Sequence, residues 1–320
     1  MDTLYFYTIF WTCVIGLCIG SFLNVVILRA LGNESIIFPS SKCNSCNTPL
    51  KWYHNIPVFS YLFLKGKCAY CKEKISIQYP LVELTTMFVY LLTFLEFGYS
   101  WNTLFLMVIF SMFIVVSMTD IKEQVVFDAH TYSLIGLGIL YSILNLGGLY
   151  IGKVGFFNAS FINGALGAIL GIVIMEALSR LGYLLANKRA FGEGDTYIAA
   201  GLGFILGWQF LVYALIYGFI IQVIMVIPLY LKKLFDEKDY STMSSFIAFF
   251  IYSFIFKYLE NMRIFRNNWI FLFCSIILIA IGVWLCRRLL KAMKDPTKLT
   301  YLPFGPAMYL GATIVLFMLH

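Results

Sequence analysis

"FGEGDTYIAAGLGFILGW", Phe191 to Trp208, sets an aspartate, Asp195, directly behind two glycines at the mouth of an apolar segment. A carboxylate beside hydrocarbon is costly to keep ionised, so such a residue is either a boundary group wetted by water or a working group. Composition supplies the membrane that this reading requires. The chain of 320 residues is 61% hydrophobic, 18% aromatic and only 12% charged, which excludes an ordinary water-soluble globule. A bilayer core of roughly 30 Å calls for about 20 apolar residues per helix. Ten segments approach or meet that length: 4–28, 81–97, 102–118, 131–148, 161–182, 196–209, 210–231, 243–258, 268–286 and 303–319. The sixth and eighth are short and open to tilted or interfacial placement. The expectation is an all-α polytopic membrane protein of about 8–10 transmembrane helices with one small zinc-ribbon-like cytoplasmic loop.

The first segment has no basic residue before its apolar run and no A-x-A-like cleavage site, so it reads as a retained helix. Asp2 precedes it while Arg29 and a lysine-rich loop follow, which puts the N-terminus outside. Threading ten spans from that start leaves all of the 23 Lys and Arg inside except Lys153, Lys257, Arg263 and Arg266. The formal charge of +7 is then accounted for by positive-inside bias and anionic headgroups. No DNA- or RNA-binding motif is present, so the lipid bilayer and no nucleic acid is the expected partner.

Residues 31–80 form the sizeable polar stretch between the first two spans and carry "CNSC", Cys43 to Cys46, and "CAYC", Cys68 to Cys71. Two CxxC pairs make two tight knuckles that together complete a tetrahedral thiolate site for zinc. Two disulfides are the alternative, which needs an oxidising compartment, whereas the lysines of this loop place it in the cytoplasm. Four thiolates close the coordination sphere, so the metal is structural. It supplies folding energy to a loop too small for its own core. His54 reads as a polar structural residue, and Cys13, Cys18, Cys274 and Cys286 as small apolar ones. Glu83 falls in the first turn of the second span, where a carboxylate is favourable on dipole grounds; a direct chemical role is the other option.

The third span ends at Met118 and is followed by Asp120 and, farther on, Asp128. One outward crossing and one inward crossing then return Asp195 to the face that holds Asp120. "GALGAILG" in the fifth span carries Gly164, Gly167, Ala168 and Gly171, small residues that let helices approach closely. Two carboxylates held close cannot both ionise comfortably; they share a proton and titrate as a pair, the state an aspartic protease uses. Gly192 and Gly194 leave room for a substrate backbone beside the acid. The plain alternative is that Asp195 caps the following helix and Asp120 is a solvated boundary residue. "LPFGP", Leu302 to Pro306, disfavours a regular helix at a membrane boundary. It is either a simple helix start or an irregular segment, tolerated where it is buried in protein or lines water, that presents an extended substrate.

These stretches resemble the bacterial type IV prepilin peptidases, or leader peptidase/N-methyltransferases. The likeness is carried by "GLCIGSFLNVVILR" from Gly16 to Arg29, the cysteine loop with "WYHNIPVFSYLFLKGKC", "QYPLVEL", the Asp120 to Asp128 segment, "GEGDTYIAAGLGFILGW" and "LPFGPAMYLGA", in the family's order. The resemblance implies a GxGD intramembrane aspartic endopeptidase of the bacterial inner membrane. Its catalytic pair would be Asp120 and Asp195, with Gly192, Gly194, Pro303, Gly305 and Pro306 shaping the site. It further implies cleavage of prepilin and pseudopilin leaders after a glycine at the cytoplasmic face, then N-methylation of the new terminus with S-adenosylmethionine. Within the family the cysteine loop is associated with methyl transfer, and no cofactor-binding residue can be named from the chemistry of the sequence.

The implied organisation is a first helix at 1–30, the zinc loop at 31–80 and the peptidase domain at 81–320. Two features depart from the family: Phe127 stands where a proline often precedes the position of Asp128, and a helical hairpin near 243–286 raises eight spans to ten. The hairpin puts Lys257, Arg263 and Arg266 outside, against the charge rule, unless it lies in the interface. Rival readings are a GxGD protease without methyl transfer and a transporter or assembly scaffold in which the aspartates carry protons.

Overall fold

A computed structural model describes residues 3–32, 34–35, 37–38, 41–43, 45–123, 128–146, 161–186, 191–236, 238–261, 268–293 and 303–318. Ten α-helices follow in order: α1 Thr3–Leu31, α2 Phe59–Phe63, α3 Gln78–Phe97, α4 Trp101–Glu123, α5 Asp128–Leu146, α6 Phe161–Ala186, α7 Glu193–Asp236, α8 Tyr240–Asn261, α9 Asn268–Met293 and α10 Gly305–Met318. The described residues contain no strand, only two isolated bridges in the cysteine loop. Five helices, α1, α3, α4, α6 and α7, are long and apolar enough to cross a membrane, while α10 is a shorter apolar helix. Phe127, Arg263 and Arg266, on which two of the sequence readings turn, lie outside the described residues.

Among the described residues each of the ten expected spans lies mostly in helix, two of them as halves of α7. At 44 residues α7 would be about 66 Å long if straight, twice what one crossing needs. It breaks at Gly207, whose φ of 77° and ψ of 167° are non-helical. Such a backbone suits glycine alone, and it puts the break slightly ahead of the expected boundary at 209.

The chain divides into two compact units. The first comprises residues 1–175, 193–219 and 303–320; the second comprises 176–192 and 220–302. In the first, α1 lies along α3 and α4, and α4 also meets α5 and α10. Lipid offers no hydrophobic drive for helix pairing, so contact depends on close backbone approach. Gly16 and Gly20, one turn apart, provide it: a Cβ on either would come within 2.6 Å of the Cα of Met87 or Glu83 on α3. Gly167 and Gly203 do the same between α6 and α7, where each faces the other's backbone. The small residues of "GALGAILG" thus serve the packing expected of them. Tyr90, Phe94 and Met107 fill the space between α3 and α4, with Tyr5, Ile9 and Ile19 of α1 against them.

In the second unit α8 and α9 pack together, and the Tyr252 hydroxyl donates to the Cys274 carbonyl at 3.1 Å. Leu234 at the end of α7 is buried against Phe246 of α8. The helical hairpin expected near 243–286 is therefore two packed helices.

Candidate functional site

Two groups of chemically capable residues lie in the first unit, and each is built from local sequence. The cysteine loop folds as two copies of one knuckle. In the first, the Cys43 amide donates to Thr48 and the Asn47 amide to Cys43, at 3.0 and 2.8 Å. In the second, the Cys68 amide donates to Glu73 and the Lys72 amide to Cys68, at 2.8 and 3.2 Å. Asn47 and Lys72, each directly after its second cysteine, both have positive φ, 54° and 63°. The four sulfurs lie within 4.8 Å of one another, with Cys43 Sγ and Cys71 Sγ 3.9 Å apart. Tetrahedral Zn–S bonds of about 2.3 Å require S···S separations of about 3.8 Å, so the set fits a structural zinc ion. None of the four is joined in a disulfide. The Cys46 thiol is drawn down to about 6, first by the Thr48 hydroxyl and then by the Thr48 amide, while the Cys71 thiol is pushed up to about 11, its bond from the Glu73 amide outweighed by burial and by the other three thiols.

The loop is tied to the helices beneath it. α3 starts three residues ahead of the expected span, so Glu83 sits in its second turn and not in its first. There it is 5% exposed, and its carboxylate accepts the Val58 amide at 2.7 Å. Val58 holds φ 61° and ψ −49°, an outlying conformation for a β-branched residue, which persists where surroundings over-determine it. Asn24 of α1, 1% exposed, ties α1 to the start of α3 by donating to the Tyr79 carbonyl at 3.1 Å. Between the loop and α1 and α3 lies a cavity of about 880 Å³, whose lining includes Ser21, Arg29, His54, Tyr61, Tyr79 and Glu83. His54 stands edge-on to Tyr53 and Tyr70, with ring centroids at 4.5 and 5.3 Å. It is not among the clustered metal-ligating residues.

The second group surrounds the start of α10. Asp120, in the last turn of α4, is 5% exposed, and Asp195, in the first turn of α7, is 6% exposed. Asp195 is the third residue of its helix, so it lies beyond the capping position. Neither is a solvated boundary residue. "LPFGP" resolves into a short irregular stretch at Pro303 and Phe304 and a helix that begins at Gly305. Pro306 falls in the first turn, where a missing amide costs nothing. Pro303, Gly305 and Pro306 are all buried. The Gly305 amide donates to Asp120 Oδ2 at 3.1 Å, joining positions 185 residues apart. A Cβ at Gly305 would meet Asp120 Oδ2 at 2.5 Å and Ile198 Cδ1, one turn along α7 from Asp195, at 3.2 Å. Gly305 is thus the spacer between Asp120 and the helix that carries Asp195. Gly192 is exposed ahead of α7, Gly194 lies half-buried within its first turn, and Asp128 opens α5.

Tyr309, a residue no sequence motif singled out, completes this group. Its side chain is 2% exposed and lies within electrostatic range of both Asp120 and Asp195. Its only signal in the sequence is a phenol one turn after Gly305 in an otherwise apolar helix.

Buried acids on apolar helices and a four-thiolate loop within one compact unit define a helical membrane protein with a candidate acid site. The chain belongs to the type IV leader peptidase family. Residues 14–97 match the bacterial peptidase A24 N-terminal domain and residues 107–227 the type IV leader peptidase family itself. Relatives named prepilin leader peptidase/N-methyltransferase include one from Neisseria gonorrhoeae, 35% identical over 218 residues, covering 61% of this chain and 72% of the relative. Another, from Aeromonas hydrophila, is 31% identical over 254 residues, 72% of this chain and 83% of the relative. A third, from Myxococcus xanthus, is 32% identical over 207 residues, 64% of this chain, and only 58% of that relative's length is spanned. No solved structure matches.

Proposed function

We propose that this protein removes the leader peptides of type IV prepilins and pseudopilins, cutting after a glycine, with Asp120 and Asp195 as its catalytic pair. The observation that carries the reading is the burial of both acids within the part of the chain that matches the peptidase family, Asp120 against Gly305 and Asp195 one turn of α7 from Ile198, which Gly305 also approaches. Held together away from bulk water, two carboxylates bind one proton between them. The ionised member takes a proton from water, whose oxygen bonds to the scissile carbonyl carbon, while the protonated member gives its proton to the carbonyl oxygen. Collapse of that intermediate breaks the C–N bond, and the leaving amine takes the proton first removed from water. Gly194, Pro303 and Pro306 keep the approach to the acids free of long side chains. The excess of Lys and Arg in the loop supports a cytoplasmic location for both loop and site, in a multi-pass inner-membrane protein.

The second activity in the relatives' name is N-methyl transfer, and we assign it to the cavity between the cysteine loop and α1 and α3. S-adenosylmethionine would supply an electrophilic methyl group there. The cavity, about 880 Å³, lies in the range of small-ligand sites, about 300–1,000 Å³. Tyr61 and Tyr79 offer faces for an adenine, and Glu83 and Arg29 offer opposite charges for the amino-acid end. Cys43, Cys46, Cys68 and Cys71 would hold a zinc ion that keeps the loop side of the cavity in shape.

Intact-mass analysis of a prepilin incubated with the purified protein tests both assignments. Leader loss absent in Asp120→Ala and Asp195→Ala variants, and a gain of one methyl only with S-adenosylmethionine, are expected. A wild type that is folded and zinc-loaded yet leaves several prepilins uncut refutes the peptidase reading and favours a transporter or scaffold.

A further inference from the structure

We infer that Tyr309 is a third catalytic residue, whose hydroxyl donates a hydrogen bond to the scissile carbonyl oxygen as it takes on negative charge between the aspartates. The inference rests on the peptidase reading above. Three observations carry it. Tyr309 lies four residues after Gly305, hence one turn deeper on the same face of α10, and Gly305 is the residue that bonds Asp120. Side chains on a helix lean toward its N-terminus, so the phenol reaches back toward the acids. The ring is fixed by Phe113, two turns below Asp120 on α4, at a centroid separation of 4.4 Å.

The second observation is the fate of the hydroxyl. It is buried, and among the described residues it has no hydrogen-bond partner. Buried tyrosine hydroxyls are ordinarily paired, and leaving one unpaired destabilises the fold. Tyr90 in the same unit shows the usual solution, its hydroxyl 2.8 Å from Ser111 Oγ. The third is that Tyr309 interacts electrostatically with both Asp120 and Asp195. A donor left unpaired within electrostatic range of two carboxylates is available to an atom that arrives between them. The acids themselves supply the general base and the general acid, so Tyr309 has no proton to transfer. It keeps its proton throughout and stabilises the developing oxyanion, a role in which one donor contributes on the order of a hundredfold to a thousandfold in rate.

The test compares Tyr309→Phe with Tyr90→Phe in the full-length protein in detergent, reading kcat and KM for prepilin cleavage and the melting temperature. Tyr309→Phe is expected to lower kcat at least about tenfold with little change in KM, while its melting temperature holds or rises. Tyr90→Phe is expected to melt lower and to cleave at the wild-type rate. Wild-type kcat in Tyr309→Phe overturns the inference, as does a loss of rate matched by a fall in melting temperature. Asp120→Asn and Asp195→Asn separate the two levels of argument. If both abolish cleavage and Tyr309→Phe does not slow it, only the role of Tyr309 fails; if either still cleaves, the catalytic pair fails with it.

Discussion

Gly305→Ala isolates the spacing of the candidate catalytic group better than any change to the acids. Gly305 is the first residue of α10 and its φ is not positive, so alanine adopts its backbone without strain and gains slightly in helix propensity. The methyl group is the whole perturbation. Its carbon would lie 2.5 Å from Asp120 Oδ2 and 3.2 Å from Ile198 Cδ1. An ordinary van der Waals separation is about 3.5 Å, so the carboxylate must withdraw by about 1 Å. That movement also breaks the 3.1 Å bond from the Gly305 amide. A displacement of about 1 Å at a reacting group costs on the order of a hundredfold in rate. Initial rates of leader removal, followed by intact mass at saturating prepilin, should therefore fall by about two orders of magnitude. Methyl transfer to a pre-cleaved pilin should be unaffected, because the cavity beside the cysteine loop contains neither Gly305 nor Asp120. Cleavage within about threefold of wild type would refute the argument that Gly305 positions Asp120 for catalysis.

The thiolate set should hold one zinc ion per chain, measured by elemental analysis. Cys43→Ser or a strong chelator should release it and open residues 41–75 to protease, as expected where metal supplies folding energy. Glu83→Ala removes the acceptor of the Val58 amide, a loss of about 1–3 kcal/mol for a buried charged partner. It should weaken S-adenosylmethionine binding in calorimetry while leader removal continues, with Glu83→Gln retaining part of the binding.

Much of the architecture was legible because its causes are local. An apolar run identifies itself as a membrane helix wherever it lies in the chain, and among the described residues every expected span lies mostly in helix. The CxxC pairs were equally readable, since each knuckle closes through bonds between residues five apart. Boundaries were less legible. Gly207 breaks α7 although Gly201 and Gly203, in the same glycine-rich run, stay helical; glycine permits a break without demanding one. Glu83 was assigned to a first turn because the apolar pattern starts at Leu81, whereas α3 starts at Gln78 and carries Pro80 inside its first turn.

By itself, the sequence determined the membrane class, the helices, the thiolate ligands and the two aspartates that deserve to be tested. These depend on hydropathy and spacing within a few residues. Only the tertiary structure decided what surrounds those aspartates. The Gly305 amide on Asp120, the Tyr309 phenol within electrostatic range of both acids and the hold of Glu83 on Val58 join residues far apart in the chain. No local pattern encodes such meetings, because they follow from how closely the helices approach, which the packing of whole helices sets.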